Sequence, residues 1–403
     1  MGEGTPETTK TFEDGVAAGA GRPVPVINAA RFDPDLTQRM TAALAQAQSI
    51  DGIMQGAAND PVKASLTSDL AQEAKKQFTA QGITTPSGVS DMALAEAALK
   101  AATNGPQAIE LKTADGTAIP IVTRPEMDAK AVMTSGLPAS LGLKELPGTS
   151  ADWDQVIAEH EGRHISQKTD RPNVMETTNE LTREASSDSF AMQNLKAQGK
   201  LDMAEAMLDI RMLKVIHADG ESADHATGYL IDPKDFSYRT PTDNDIGTLM
   251  SLKDTMIDAV AKQKGTGRDA ATELLSTKPA EFSTTLKTAI AEGKVPKSEG
   301  PTTIEFMNKY MDAVERRIEA SPAPQVAPSV APTVAPTSPP PASDTRSQAP
   351  AQDDVAARGA ALIADFLGNG TGIQRLSNIS PVENTPAAGA VTYAPKTPAA
   401  AAP

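Results

Sequence analysis

From position 321 onward the chain stops looking like something that can bury a core, and that limits the fold more than any other feature. Val326-Ala327-Pro328-Ser329 is followed by Val330-Ala331-Pro332-Thr333, Val334-Ala335-Pro336-Thr337 and then Pro339-Pro340-Pro341. Such a run favours extended polyproline II structure with a solvated backbone. Residues 321–353 therefore read as a Pro/Ala-rich linker. Residues 354–368 can form one short amphipathic helix with Leu362, Ile363, Phe366 and Leu367 on its apolar side, an element suited to docking on a partner. Residues 369–403 read as a disordered tail. At the other end, residues 1–32 are rich in Gly, Thr, Glu and Pro without clear periodicity and read as a disordered leader.

The fold must then come from residues 33–320. Asp33-Pro34 opens a helix carrying Leu36, Met40, Ala43 and Leu44, and Asp60-Pro61 opens another with Leu66, Leu70 and Ala74. Ser90 precedes a third, with Met92, Leu94, Ala95, Ala98 and Leu99 at helical spacing. Residues 33–107 thus form a helical N-terminal region. Alternation from Ala108 to Thr113 and from Thr117 to Thr123, around Ala114-Asp115-Gly116, predicts a β-hairpin. Pro120 puts its strand at an edge or on a bulge, because it cannot donate to a ladder. Helical periodicity returns after Asp152 and runs to Ile304–Ile318, where Phe306, Met307, Tyr310, Met311 and Val314 share a face. The expected class is predominantly helical α+β, with residues 108–320 as the main domain.

Composition narrows the chemistry. There is no Cys, which excludes disulfides, thiolate nucleophiles and sulfur-ligated zinc, so any metal must be held by His and carboxylates. Against 37 Lys and Arg stand 52 Asp and Glu, and a net charge of −15 makes nucleic acid an unfavourable partner. Residues 1–15 lack the basic and apolar regions of a Sec-type signal peptide, and no later stretch is apolar for long enough to span a bilayer. A cytoplasmic location is the default expectation; export without a cleaved signal fits equally.

All 4 His lie between positions 160 and 225. His160-Glu161-Gly162-Arg163-His164 places two imidazoles one helical turn apart on one face, with Glu161 beside them in position to take a proton. A third donor must be His, Asp or Glu, and Glu180, Glu184 and Asp188 follow along one helical stripe, an arrangement of like charges that a cation would relieve. Trp153, Arg163 and Arg183 are assigned to packing or the surface.

The pair of segments resembles the gluzincin metallopeptidases typified by thermolysin: His-Glu-x-x-His, an interval, then Glu followed four residues later by Asp. Here 19 residues separate His164 from Glu184, and Glu184-Ala185-Ser186-Ser187-Asp188 matches the second segment. The resemblance implies a zincin-like helix pair, Zn2+ held by His160, His164 and Glu184, Glu161 as general base, and Asp188 as an acceptor orienting His160. It covers about 29 residues of the 403. Glu180 is the competing third ligand; Glu184 is preferred because it has an Asp one turn later and the matching interval. The family's oxyanion-stabilising His and Tyr have no matching motif, leaving His217, His225 and Tyr229 as candidates. The hairpin could align an extended peptide substrate by main-chain hydrogen bonds, or simply cover a helical core. The expected activity is zinc-dependent hydrolysis of a peptide or protein. Alternatives are a non-catalytic zinc-binding module and an exported protease with a single protein target.

Overall fold

Phe12, Val16 and Ala20 recur at four-residue spacing, and this short stripe is enough to order the segment expected to be a disordered leader. In the computed structural model, which describes residues 6–141, 146–167, 174–218, 223–295 and 300–319, helix α1 (Pro6–Ala20) is followed by strand β1 (Val26–Asn28). Phe12 and Val16 are completely buried. What the leader lacks in apolar bulk it offsets by closeness of approach, described below for its glycines. The 321–353 linker, the 354–368 helix and the 369–403 tail lie outside the described residues.

Four helices follow: α2 (Pro34–Ala47), α3 (Ile50–Gly56), α4 (Pro61–Ala80) and α5 (Asp91–Thr103). The starts of α2, α4 and α5 are those expected, with the side chains of Asp33, Asp60 and Ser90 accepting from the N–H groups of Asp35, Val62 and Ala93, whereas α3, capped by Ser49, is not among the expected helices. The hairpin is β2 (Gln107–Lys112) with β3 (Ala118–Arg124). Beyond it lie α6 (Ala129–Thr134), α7 (Ser150–Ser166), α8 (Glu176–Ala197), α9 (Leu201–His217), α10 (Asp243–Lys264), α11 (Arg268–Thr277), α12 (Pro279–Ala291) and α13 (Gly300–Glu319). The described residues are thus mostly helical with one small sheet. No described helix is long and apolar enough to cross a membrane.

The sheet order is β1-β3-β2, with β1 parallel and β2 antiparallel to β3. Side chains alternate between its faces. Ile27, Leu111 and Ile121 enter a core formed with α2 to α5, whereas Val26 and Val122 enter the larger core that contains α1, α7 to α10 and α13. Pro120 lies in the central strand, a correction to the expected edge or bulge. Its tolerance has a local cause: β1 pairs only with residues Val122 to Arg124, so at Pro120 that side of β3 has no neighbouring strand.

The two outer edges are treated differently. Along β1, side chains of α4 and of Gln81, the residue that follows this helix, act as a substitute strand. Gln77 accepts from the Asn28 N–H and donates to its carbonyl at 2.8 and 3.1 Å, and Gln81 does the same for Val26 at 2.9 and 2.6 Å. That edge is closed. The hairpin end of β2 is covered by a bridge between Val89 and Thr113. Between these limits no other described strand pairs with the outer edge of β2.

Candidate metal centre

Helix α7 begins with a capping box in which Thr149 and Asp152 satisfy each other's backbone N–H groups. Trp153 is completely buried one turn into the helix and donates its indole N–H to the Pro147 carbonyl at 2.8 Å. Asp154, buried, accepts on both carboxylate oxygens from one terminal nitrogen of Arg124 of β3, at 2.8 and 2.9 Å, while the other terminal nitrogen of Arg124 donates to Asn28. A buried ion pair of this kind contributes modestly to stability but fixes orientation, here that of α7 across the end of the sheet.

That orientation delivers the second half of α7 to α8. The Nε2 atoms of His160 and His164 lie 3.0 Å apart, and the carboxylate of Glu184 spans them, with one oxygen 3.1 Å from His160 Nε2 and the other 3.2 Å from His164 Nε2. Among the described residues these three side chains form the one group of His and acids close enough to share a metal ion. Glu180 is not part of it. His164 and Glu184 each keep 18% of their side-chain surface exposed, so one side of the cluster is reachable from solvent.

The outer nitrogens of both imidazoles are also engaged. His160 Nδ1 is 2.7 Å from Asp188, which is wholly buried, ion-paired with Arg211 of α9 at 2.8 Å, and receives the Thr227 hydroxyl. His164 Nδ1 is 3.4 Å from the Ser187 hydroxyl, which in turn receives the Gln167 amide at 2.8 Å. These contacts turn both Nε2 atoms inward. Arg211, Thr227, Ser187 and Gln167 carry no signature in the sequence; only the spatial pairing reveals them.

Burial alone would lower the pKa of His160, but the carboxylates of Asp188 and Glu184 outweigh it and push it up to about 10. For Glu184, burial is opposed by the two imidazoles, His160 foremost, and its carboxyl is held well below the usual range. Burial is likewise overcome at Asp188, where Arg211 and His160 bring the value down to about 2. The cluster therefore concentrates negative charge on oxygen around converging nitrogens, a demand that a proton or a cation must meet.

Glu161 points elsewhere. Its Oε2 accepts the main-chain N–H of Ala108 in β2 at 2.9 Å, and burial raises its pKa against the influence of the imidazoles. The hairpin and the motif helix thus meet at this carboxylate.

Of the expected oxyanion candidates, two are turned into packing. Tyr229 is completely buried, its hydroxyl donates to the Met212 carbonyl at 3.1 Å and its ring lies 5.1 Å from that of Phe306. The polar residues before it suggest a solvated loop, but Gly228 sits against α9, where a Cβ would come 2.8 Å from the Leu208 carbonyl. His217 shares a hydrogen bond of 3.0 Å with the Tyr310 hydroxyl between α9 and α13. His225 ends a single 3-10 turn, Ala223–His225, packed against α8.

His217 instead supplies a test of acid stability. Burial, with Lys253 nearby, lowers its pKa from 6.5 to about 4. The unfolded chain then binds the proton more readily, so the neutral ring's contribution is complete above pH 6.5 and is lost as pH falls toward 4. Wild type should lose about 1.4 kcal/mol per pH unit relative to His217→Gln within that window. Denaturant midpoints of the two proteins check this; parallel curves would refute it.

No protein-family model matches the chain, and neither curated proteins nor solved structures yield a match.

Proposed function

We propose that the chain is a zinc-dependent peptidase of gluzincin type, with a zincin-like helix pair formed by α7 and α8. The observation that carries this reading is the convergence of His160 Nε2, His164 Nε2 and the Glu184 carboxylate at 3.0 to 3.2 Å, with Glu161 next to His160 in the same helix and accepting the Ala108 N–H of β2. The donor set fits the ion. With zinc–ligand bonds of about 2.0–2.1 Å, tetrahedral donors are separated by about 3.3 Å, close to the spacings here. Three protein donors also match a catalytic site, whose fourth position stays available.

When bound, zinc supplies a Lewis acid that polarises the scissile carbonyl and acidifies water. Glu161 takes the proton of the attacking water on a carboxylate oxygen and returns it to the leaving amine nitrogen. Its raised pKa suits it to hold that proton between the two steps. The Ala108 N–H fixes the carboxylate while this happens. Asp188, held by Arg211 and Thr227, keeps the His160 ring from rotating. The outer edge of β2 offers main-chain groups to an extended peptide, so the substrate would lie beside Glu161 as an added strand.

Metal analysis of the purified chain tests the reading, with about one zinc expected per chain and loss of it in His164→Ala. The wild type should cleave an unstructured polypeptide in a chelator-sensitive manner. Stoichiometric zinc without any cleavage would favour a binding module; absence of zinc from both proteins would end the proposal.

A further inference from the structure

The sheet register places Glu110 two residues along β2 from Ala108, whose N–H is bonded to Glu161 of the motif helix. Val122 donates its N–H to Pro25, on the side away from β2, and Ala108 opposite it donates to Glu161. Ala108 and Val122 are therefore a pair that exchanges no hydrogen bonds, and so, two residues on, are Glu110 and Pro120. The main-chain N–H and C=O of Ala108 and Glu110 accordingly point outward, to the edge that no described strand covers; the Ala108 N–H is taken there by Glu161, which leaves the Ala108 C=O and both groups of Glu110 for a peptide. Side chains obey the same alternation. Ile109 and Leu111 pack with the core of α2 to α5, while Ala108 packs against the core that contains α7. Glu110 shares the face of Ala108. Its side chain is exposed, and it makes no ion pair or hydrogen bond with any described residue, Lys112 on the same face included.

An antiparallel peptide added to this edge would set one residue against Ala108, beside Glu161, and another, two places toward its N-terminus, directly against Glu110. Directly opposed side chains share a face at about 4.5–5.5 Å between Cβ atoms, and opposite charges there attract. We propose that Glu110 selects substrates carrying Lys or Arg at the position paired with it, on the N-terminal side of the scissile bond. The inference rests on the peptidase reading above and adds a substrate class to it.

The test walks a single Lys, and separately a single Glu, along a neutral unstructured peptide presented to the zinc-loaded full chain. Wild type should cleave with a kcat/KM about fivefold higher for Lys than for Glu at one fixed offset N-terminal to the cut, and Glu110→Lys should invert that preference. The same ratio and inversion should appear in the Kd of the uncleaved peptides, read by fluorescence anisotropy on Glu161→Gln and on the Glu110→Lys, Glu161→Gln double variant. Cleavage without an offset-dependent charge preference, or a preference unchanged in Glu110→Lys, overturns this inference alone. Failure of the loaded wild type to cleave any peptide overturns the peptidase reading, and this inference with it.

Discussion

Glu161→Gln is expected to keep about one zinc per chain while kcat falls by about 10²-fold to 10⁴-fold, the range that a positioned general base contributes. The side chain keeps its shape, and the amide oxygen can still accept the Ala108 N–H that now binds the carboxylate at 2.9 Å. What disappears is the capacity to hold a proton. Because burial disfavours charge on Glu161 more than the two imidazoles favour it, a neutral isostere there is tolerated and the melting temperature should move little. The candidate metal donors keep their mutual contacts, because those run between His160, His164 and Glu184 themselves. Steady-state kinetics, metal analysis and thermal melting on the same preparation check the three parts. Full activity in the variant would remove Glu161 from the chemistry whatever the metal content.

The elements most legible in the sequence are those whose determinants are local. Asp33, Asp60 and Ser90 mark helix starts because the bonds they make reach only two or three residues ahead. The two imidazoles and the Glu184–Asp188 pair are likewise set by one-turn spacing, so the sequence suffices to put each pair on a single face. Their mutual approach across α7 and α8 is tertiary, and the sequence offers it only through likeness to a known pattern. Non-local contacts account for the misreadings. Pro120 suggests an edge because β1, the strand that makes β3 central, is three residues long and lies in the segment expected to be a disordered leader. Tyr229 suggests a solvated turn because nothing nearby in sequence announces that Gly228 lies against α9. The hydrogen bond between Ala108 and Glu161 joins residues 53 positions apart and involves a main-chain donor, which no side-chain pattern can reveal.

The leader raises the same problem at larger scale, and Gly162 tests the answer. A Cβ at Gly162 would come 2.2 Å from the Val16 carbonyl oxygen, and one at Gly19 would come 2.2 Å from the Glu159 carbonyl oxygen, so α1 and α7 cross with their backbones in contact. Neither obstacle is a flexible side-chain end. A methyl group at either position forces the helices apart, disturbs the burial of Phe12 and Val16, and shifts the helix bearing both imidazoles. On an unobstructed helix the same change would be favourable, since Ala is better than Gly in a helix interior by about 1 kcal/mol. The sign of the effect therefore decides the matter. Gly162→Ala is expected to destabilise the chain by about 3 kcal/mol, the upper end of the usual overpacking cost, and to weaken zinc binding through the displaced His160 and His164. Gly19→Ala should destabilise similarly although it lies far from the motif in sequence. Chemical denaturation with zinc titration of each variant measures both consequences. A stabilised Gly162→Ala protein would mean that α1 does not lie on the motif helix, and that the glycine inside His160-Glu161-Gly162-Arg163-His164 has no packing role.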